Sequence, residues 1–111
     1  MSTVFFPDSE CQVTVVDPGK VSRKVKARGG DMMIVEVSFA TGGVGPSHKH
    51  PHEQATYCAS GEFMFTVEGE TKRLLAGDTV YIPSGADHST VCVLAGKLVD
   101  VFSPQRQDFL A

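Results

Sequence analysis

His48-Lys49-His50-Pro51-His52-Glu53-Gln54 sets three imidazoles and one carboxamide within seven residues, and His88 is the fourth and last histidine of the chain. The surrounding intervals are regular. Five residues separate Gly42 from His48, one separates His48 from His50, three separate His50 from Gln54, and six separate Gln54 from Gly61. A second block runs from Gly77 through Pro83-Ser84-Gly85 to His88. Residues two apart on a strand point to the same face. His48, His50 and Gln54 are therefore expected to converge inside a barrel while Lys49 and Glu53 face away, with His88 closing the site from a neighbouring strand. Neutral imidazole is the commonest metal ligand, and three of them with one oxygen donor suit one divalent transition metal ion (Ni, Zn, Mn, Fe or Cu) better than Ca or Mg. The plainer reading is polar strand ends and turns; two correctly spaced blocks together favour the metal site.

Glycines recur at 61, 69, 77 and 85, eight residues apart each time, which is turn spacing and not a repeat. Between turns the pattern alternates: Met33, Val35, Val37 and Phe39 oppose Ile34, Glu36 and Ser38, and Phe63, Phe65 and Val67 oppose Glu62, Thr66 and Glu68. Further strands are expected near 12–16, 21–27, 55–60, 72–75, 79–82, 90–94 and 97–102. No convincing helical period falls between Gln12 and Phe102. This many short strands with Gly and Pro at the turns predicts an all-β fold, a small jelly-roll β-barrel or double-stranded β-helix. At 111 residues the chain reads as a single domain, 1–111, with residues 1–10 and the tail after Ser103 as coil or short edge elements.

Charge and composition exclude several classes. The formal net charge is −3, and the one basic stretch, Lys20 to Arg28, is interleaved with Val, Ser and Ala as in a strand with a solvated face. Neither nucleic acid nor an anionic membrane is favoured as a partner. No apolar run reaches the roughly 20 residues of a membrane helix, and residues 1–10 carry no charged leader followed by an apolar stretch, so a cytoplasmic protein is expected. Cys11, Cys58 and Cys92 lack the paired spacing of a zinc ribbon and read as buried, reduced thiols.

The two spaced blocks, 42–61 and 77–92, resemble the paired motifs of a cupin metal site. Two departures are informative. The position normally held by glutamate is Gln54, and the asparagine that often follows the second block is Cys92. A carboxamide brings no charge, so a divalent ion held by His48, His50, Gln54 and His88 keeps its full formal charge, which favours Lewis-acid action on an anionic substrate over oxygen activation. Glu53 is the alternative oxygen ligand, but its parity points outward. His52 shares the parity of the site, follows Pro51 and matches no ligand position; contact with substrate or with a ligand competes there with an ordinary loop histidine.

The segment Leu98-Val-Asp-Val-Phe102 admits two faces. With Leu98 and Phe102 inward, Asp100 is a carboxylate among apolar side chains and able to act as general acid or base; with Val99 and Val101 inward it is solvated and ordinary. Arg106 by itself reads as a surface arginine, although a guanidinium is the natural partner of a carboxylate.

The run His48 to Gln54, the Gly61-Glu-Phe turn, the 77–88 block and above all Asp100-Val-Phe-Ser-Pro-Gln-Arg106-Gln-Asp-Phe-Leu110 resemble the small cupins called KdgF-like, or pectin-degradation, proteins. The resemblance runs from about Met33 onward. It implies ring opening and ketonisation of 4,5-unsaturated monouronates, the products of pectin and alginate lyases, to linear keto sugar acids. It further implies His48, His50, Gln54 and His88 as metal ligands and Asp100, Phe102 and Arg106 as pocket residues, Asp100 shuttling protons and Arg106 holding or neutralising the acid group. The expectation is a metal-dependent isomerase of small sugar acids, cytoplasmic and homodimeric. An Fe- or Cu-dependent dioxygenase and a non-catalytic binding module are the readings of other classes.

Overall fold

The computed structural model describes residues 3–110; Met1, Ser2 and Ala111, at the ends of the expected domain, lie outside the described residues. Eight antiparallel strands run β1 (Val13–Asp17), β2 (Val21–Gly29), β3 (Met32–Phe39), β4 (Val44–His48), β5 (Glu53–Val67), β6 (Glu70–Leu75), β7 (Thr79–Ile82) and β8 (His88–Ser103). Short 3-10 turns, Asp8–Glu10 and Gln107–Phe109, flank them. Among the described residues no helix is long and apolar enough to cross a membrane.

The two longest strands organise the rest. β5 and β8 pair antiparallel from Glu53↔Ser103 to Val67↔His88. On the free edges, β7 joins the first half of β5 and β6 its second half, while β4 joins the first half of β8 and β3, β2 and β1 extend from its second half. The result is a jelly roll of two layers, β7-β5-β8-β3-β2-β1 facing β6-β5-β8-β4, each long strand passing through both. Apolar residues fill the space between. Phe63, Phe65, Leu74, Ile82, Cys92 and Leu98 belong to one buried cluster, and Met33, Val35 and Phe102, with Phe109 and Leu110 packed on them, form a second.

The alternating pattern was legible, but the strand count was not. Segments expected as separate strands, 55–60 and 62–68, are one strand, as are 90–94 and 97–102. Gly61 is no hairpin turn: it sits in a bulge where the register of β5 against β8 slips. The slip reverses the parity of β5, so the inward residues change from Gln54, Thr56 and Cys58 to Phe63 and Phe65, while β8 keeps His88, Thr90, Cys92, Leu98 and Phe102 inward throughout. β4 is an addition to the expected set.

At this crossing the backbones touch. A Cβ on Gly96 would lie 2.1 Å from the Ser60 carbonyl oxygen, and one on Gly61, whose φ is +85°, would lie 2.5 Å from that of Leu94. Backbone atoms cannot swing aside as a side-chain end does. Gly96→Ala should therefore cost about 2 kcal/mol or more, a fall in melting temperature of roughly 8 °C. Gly29→Ala, where a Cβ meets nothing within 4 Å, should melt near wild type; equal melting of the two variants in calorimetry would remove the crossing as the packing constraint.

Candidate metal centre

Both layers contribute to one point. His48 ends β4 and lies opposite His88, the first residue of β8, in the β4–β8 register. Gln54, near the start of β5, comes from the other layer, opposite Phe102. His50 lies in the link between β4 and β5, so strand alternation does not carry it inward as expected; the link does, with the His50 carbonyl accepting from the Gly85 N–H at 2.9 Å. The donor nitrogens of His48, His50 and His88 all lie within 4.8 Å of one another.

Each of the three rings is oriented the same way. Nδ1 faces a backbone carbonyl: that of Pro46 for His48 at 2.9 Å, of His52 for His50 at 3.0 Å, and of Ala86 for His88 at 3.0 Å. A carbonyl only accepts, so the proton of each neutral ring is on Nδ1 and the Nε2 lone pair is left for a ligand. His88 Nε2 is buried without a hydrogen-bond partner. The ring centroids are 4.2 Å apart for His48 and His88 and 4.9 Å for His50 and His88. Two imidazolium charges at such spacings repel by roughly 3.5–4 kcal/mol at an effective dielectric constant of about 20. Burial in addition holds the pKa of both His50 and His88 below the ordinary histidine value. Both effects keep the lone pairs free for a cation.

Gln54 completes the set through a chain of bonds. Its Nε2 donates to Thr56 Oγ1 at 2.9 Å, and Thr56 Oγ1 donates to Asp100 Oδ1 at 2.7 Å. With the amide nitrogen turned to Thr56, Oε1 faces His50 Nε2 at 3.0 Å. Two lone pairs so close have no proton to share, and a cation between them satisfies both. The donor set thus fits a divalent transition metal. Thr56, fully buried and directly opposite Asp100 in the β5–β8 register, was missed in the sequence, although its parity two residues beyond Gln54 pointed to it.

Asp100 takes the inward alternative, on the face of Leu98 and Phe102. Burial pushes its carboxyl pKa up to about 6 against the hydrogen bonds that favour its charge. It lines, with His48, Gln54, His88, Phe102 and Arg106, a cavity of about 220 Å³ between the layers. Arg106 is no surface arginine: its side chain is largely buried, stacks toward Phe102 and Phe109, and donates Nε and Nη2 to the Asp108 carboxylate at 3.0 and 2.8 Å. Arg23 also lines the cavity. Its sequence signal was parity: Arg23 lies between Val21 and Val25 on the inward face of a stretch read as solvated. His52 is outside the lining; it supplies the carbonyl that orients His50 while its ring lies 5.4 Å from that of His50. Glu53 is exposed and accepts from the Tyr81 hydroxyl, away from the histidines. Cys58 and Cys92 are buried free thiols whose pKa burial raises, whereas Cys11 is only half-buried, because it lies on the N-terminal segment outside the barrel.

Residues 35–102 match the cupin domain family. The pectin degradation protein KdgF of Dickeya dadantii is 38% identical over 108 residues, covering 96% of this chain and 97% of that one. The structure of KdgF from a Halomonas species superposes with a TM-score of 0.90 at 36% identity, covering 97% of this chain and 99% of the other. An RmlC-like cupin from Shewanella frigidimarina gives 0.91 at 35% identity, covering 97% and 96%.

Purified protein should carry close to one transition metal ion per chain, and His88→Ala or His48→Ala should lose it. Removing the ion with a chelator should lower the melting temperature of wild type and leave His88→Ala unmoved, since only the native site couples the metal to folding. Elemental analysis beside melting curves decides this; equal metal in all three proteins would dismiss the site.

Proposed function

The chain belongs to the cupin family and, within it, to the KdgF-like proteins, and from that membership we propose that it converts 4,5-unsaturated monouronates from pectin or alginate breakdown into linear keto sugar acids. The observation that carries this reading is the bonded chain from Gln54 through Thr56 to Asp100. It ties a carboxyl poised near neutral pH to an uncharged donor set within one cavity. At about 220 Å³ the cavity falls below the roughly 300–1,000 Å³ of sites for drug-sized ligands, which favours a monosaccharide over a polymer.

The reaction needs a hemiacetal to open and an enol to become a ketone beside a carboxylate, with no change of oxidation state. His48, His50, Gln54 and His88 would hold the divalent ion, whose contribution is Lewis-acid polarisation of the substrate's acid group and adjacent oxygen. Asp100 accepts and returns the migrating proton, its Oδ1 fixed by the Thr56 hydroxyl. Phe102 and the apolar side chains Phe39, Phe65 and Leu98 keep water from the opposite walls. Arg106, half of its fork taken by Asp108, stiffens the C-terminal segment and adds positive field. The expected homodimer finds support in the unpaired edge of β1, where Val13, Val15 and Val16 are exposed.

The test is to add metal-loaded protein to a freshly generated unsaturated monouronate and follow loss of the conjugated absorbance; no acceleration over buffer would leave a sugar-acid-binding module. Asp100→Asn should keep metal and melting temperature while turnover falls about 10²-fold or more. Gln54→Glu should keep or tighten the metal and slow turnover, because an anionic ligand lowers Lewis acidity and repels the substrate. Steady-state kinetics with elemental analysis reads both; wild-type turnover in Asp100→Asn would take the proton-transfer role from that residue.

A further inference from the structure

Two guanidinium groups reach the cavity, and they are not equivalent. Arg106 gives two donors to Asp108, so its charge is met within the protein. Arg23 makes no side-chain hydrogen bond or salt bridge among the described residues. It is half-buried on the inward face of β2, opposite Val37 in the register with β3, and its guanidinium carbon lies 3.9 Å from the centroid of the Phe109 ring. Phe109 also packs on Arg106 at 4.2 Å, so one aromatic ring positions both cations. The charges bearing on Arg23 are Asp108, already gripped by Arg106, and Arg106 itself. A guanidinium carries five donors in a rigid fork suited to a carboxylate, and those of Arg23 are open to the cavity rather than spent within the protein.

We propose that Arg23 binds the carboxylate of the ligand in this cavity, so that β2, and not the C-terminal segment, selects sugar acids over neutral sugars. The inference deepens the proposed uronate chemistry and rests on it for the identity of the ligand. Phe109 holds the Arg23 fork against the cavity wall. Arg106 then serves as a positioning residue, locked to Asp108 and keeping Phe109 in place.

The experiment is calorimetric titration of the metal-loaded protein with galacturonate, a saturated uronate without the reactive double bond, and with its methyl ester, which removes the charge and keeps the ring. Wild type should bind the acid about ten- to a hundred-fold more tightly than the ester, the scale of one charged hydrogen-bonded pair. Arg23→Gln, which keeps much of the stem, should lose most of that preference and keep only the part the ion supplies; Arg23→Lys, which keeps the charge and loses the fork, should fall between. Melting curves and metal content of the variants establish that the barrel is intact. Equal discrimination by wild type and Arg23→Gln overturns the proposal, as does a loss confined to Arg106→Gln or the absence of uronate binding by wild type. Turnover separates the two readings. Arg23-dependent binding of the acid without any turnover of unsaturated uronate would remove the isomerase and leave Arg23 as the acid-binding residue. Turnover with an unchanged KM in Arg23→Gln would do the reverse.

Discussion

The crossing of β5 and β8 is the constraint from which the site follows. The two strands pair along their whole length, and the passage of each through both layers requires backbone contact at Gly61 and Gly96 that no Cβ would allow. Once they cross, the start of β5 and the end of β8 lie in one layer and the start of β8 in the other. Gln54, Thr56, Asp100 and Phe102 then face His48 and His88 across the cavity. The bulge at Gly61 is what allows both halves of β5 to turn inward residues toward the same interior. The candidate donors His48, His50 and Gln54 are neighbours of the Asp100 carboxyl because the sheet folds, although more than forty residues separate them from it in sequence.

Within that frame, backbone carbonyls do much of the chemical preparation. Those of Pro46, His52 and Ala86 each take an Nδ1 proton and so aim three Nε2 lone pairs inward. The Gln54 amide is fixed in turn by Thr56, whose single hydroxyl proton goes to Asp100. An uncharged donor set and a carboxyl of raised pKa therefore share one hydrogen-bonded line. An ion held there would keep its full charge toward the acidic ligand proposed above, and a glutamate in place of Gln54 would cancel part of it. Arg23, on β2 and outside both histidine blocks, adds a further cation to the cavity lining.

How much of this was legible depended on whether a residue's role was local. The histidine spacing and the period-two pattern stated the fold and the meeting of three histidines, since both depend on near neighbours along the chain. The alternation argument for His50 reached the right place by the wrong path: the β4–β5 link, not a strand, carries it inward. Strand ends at Gly61 and Gly96 were misread because a glycine at a bulge and one at a turn look alike in sequence. Asp100 stood between two faces until the β3–β8 and β5–β8 registers placed it inside. Thr56 and Arg23 were passed over for a common reason, that a lone polar residue at an inward position acquires meaning only from the strand opposite it, Asp100 for one and the Phe109 turn for the other.

The central claim is that three Nε2 atoms and one carboxamide oxygen hold a single cation between the two layers. Anomalous diffraction from crystals of the metal-loaded protein tests it most directly. The account predicts one peak per chain about 2.0–2.2 Å from Nε2 of His48, His50 and His88, with Gln54 Oε1 in the same shell and each Nδ1 still on its carbonyl. A peak ligated through Nδ1, or through Glu53 with Gln54 turned away, would contradict it.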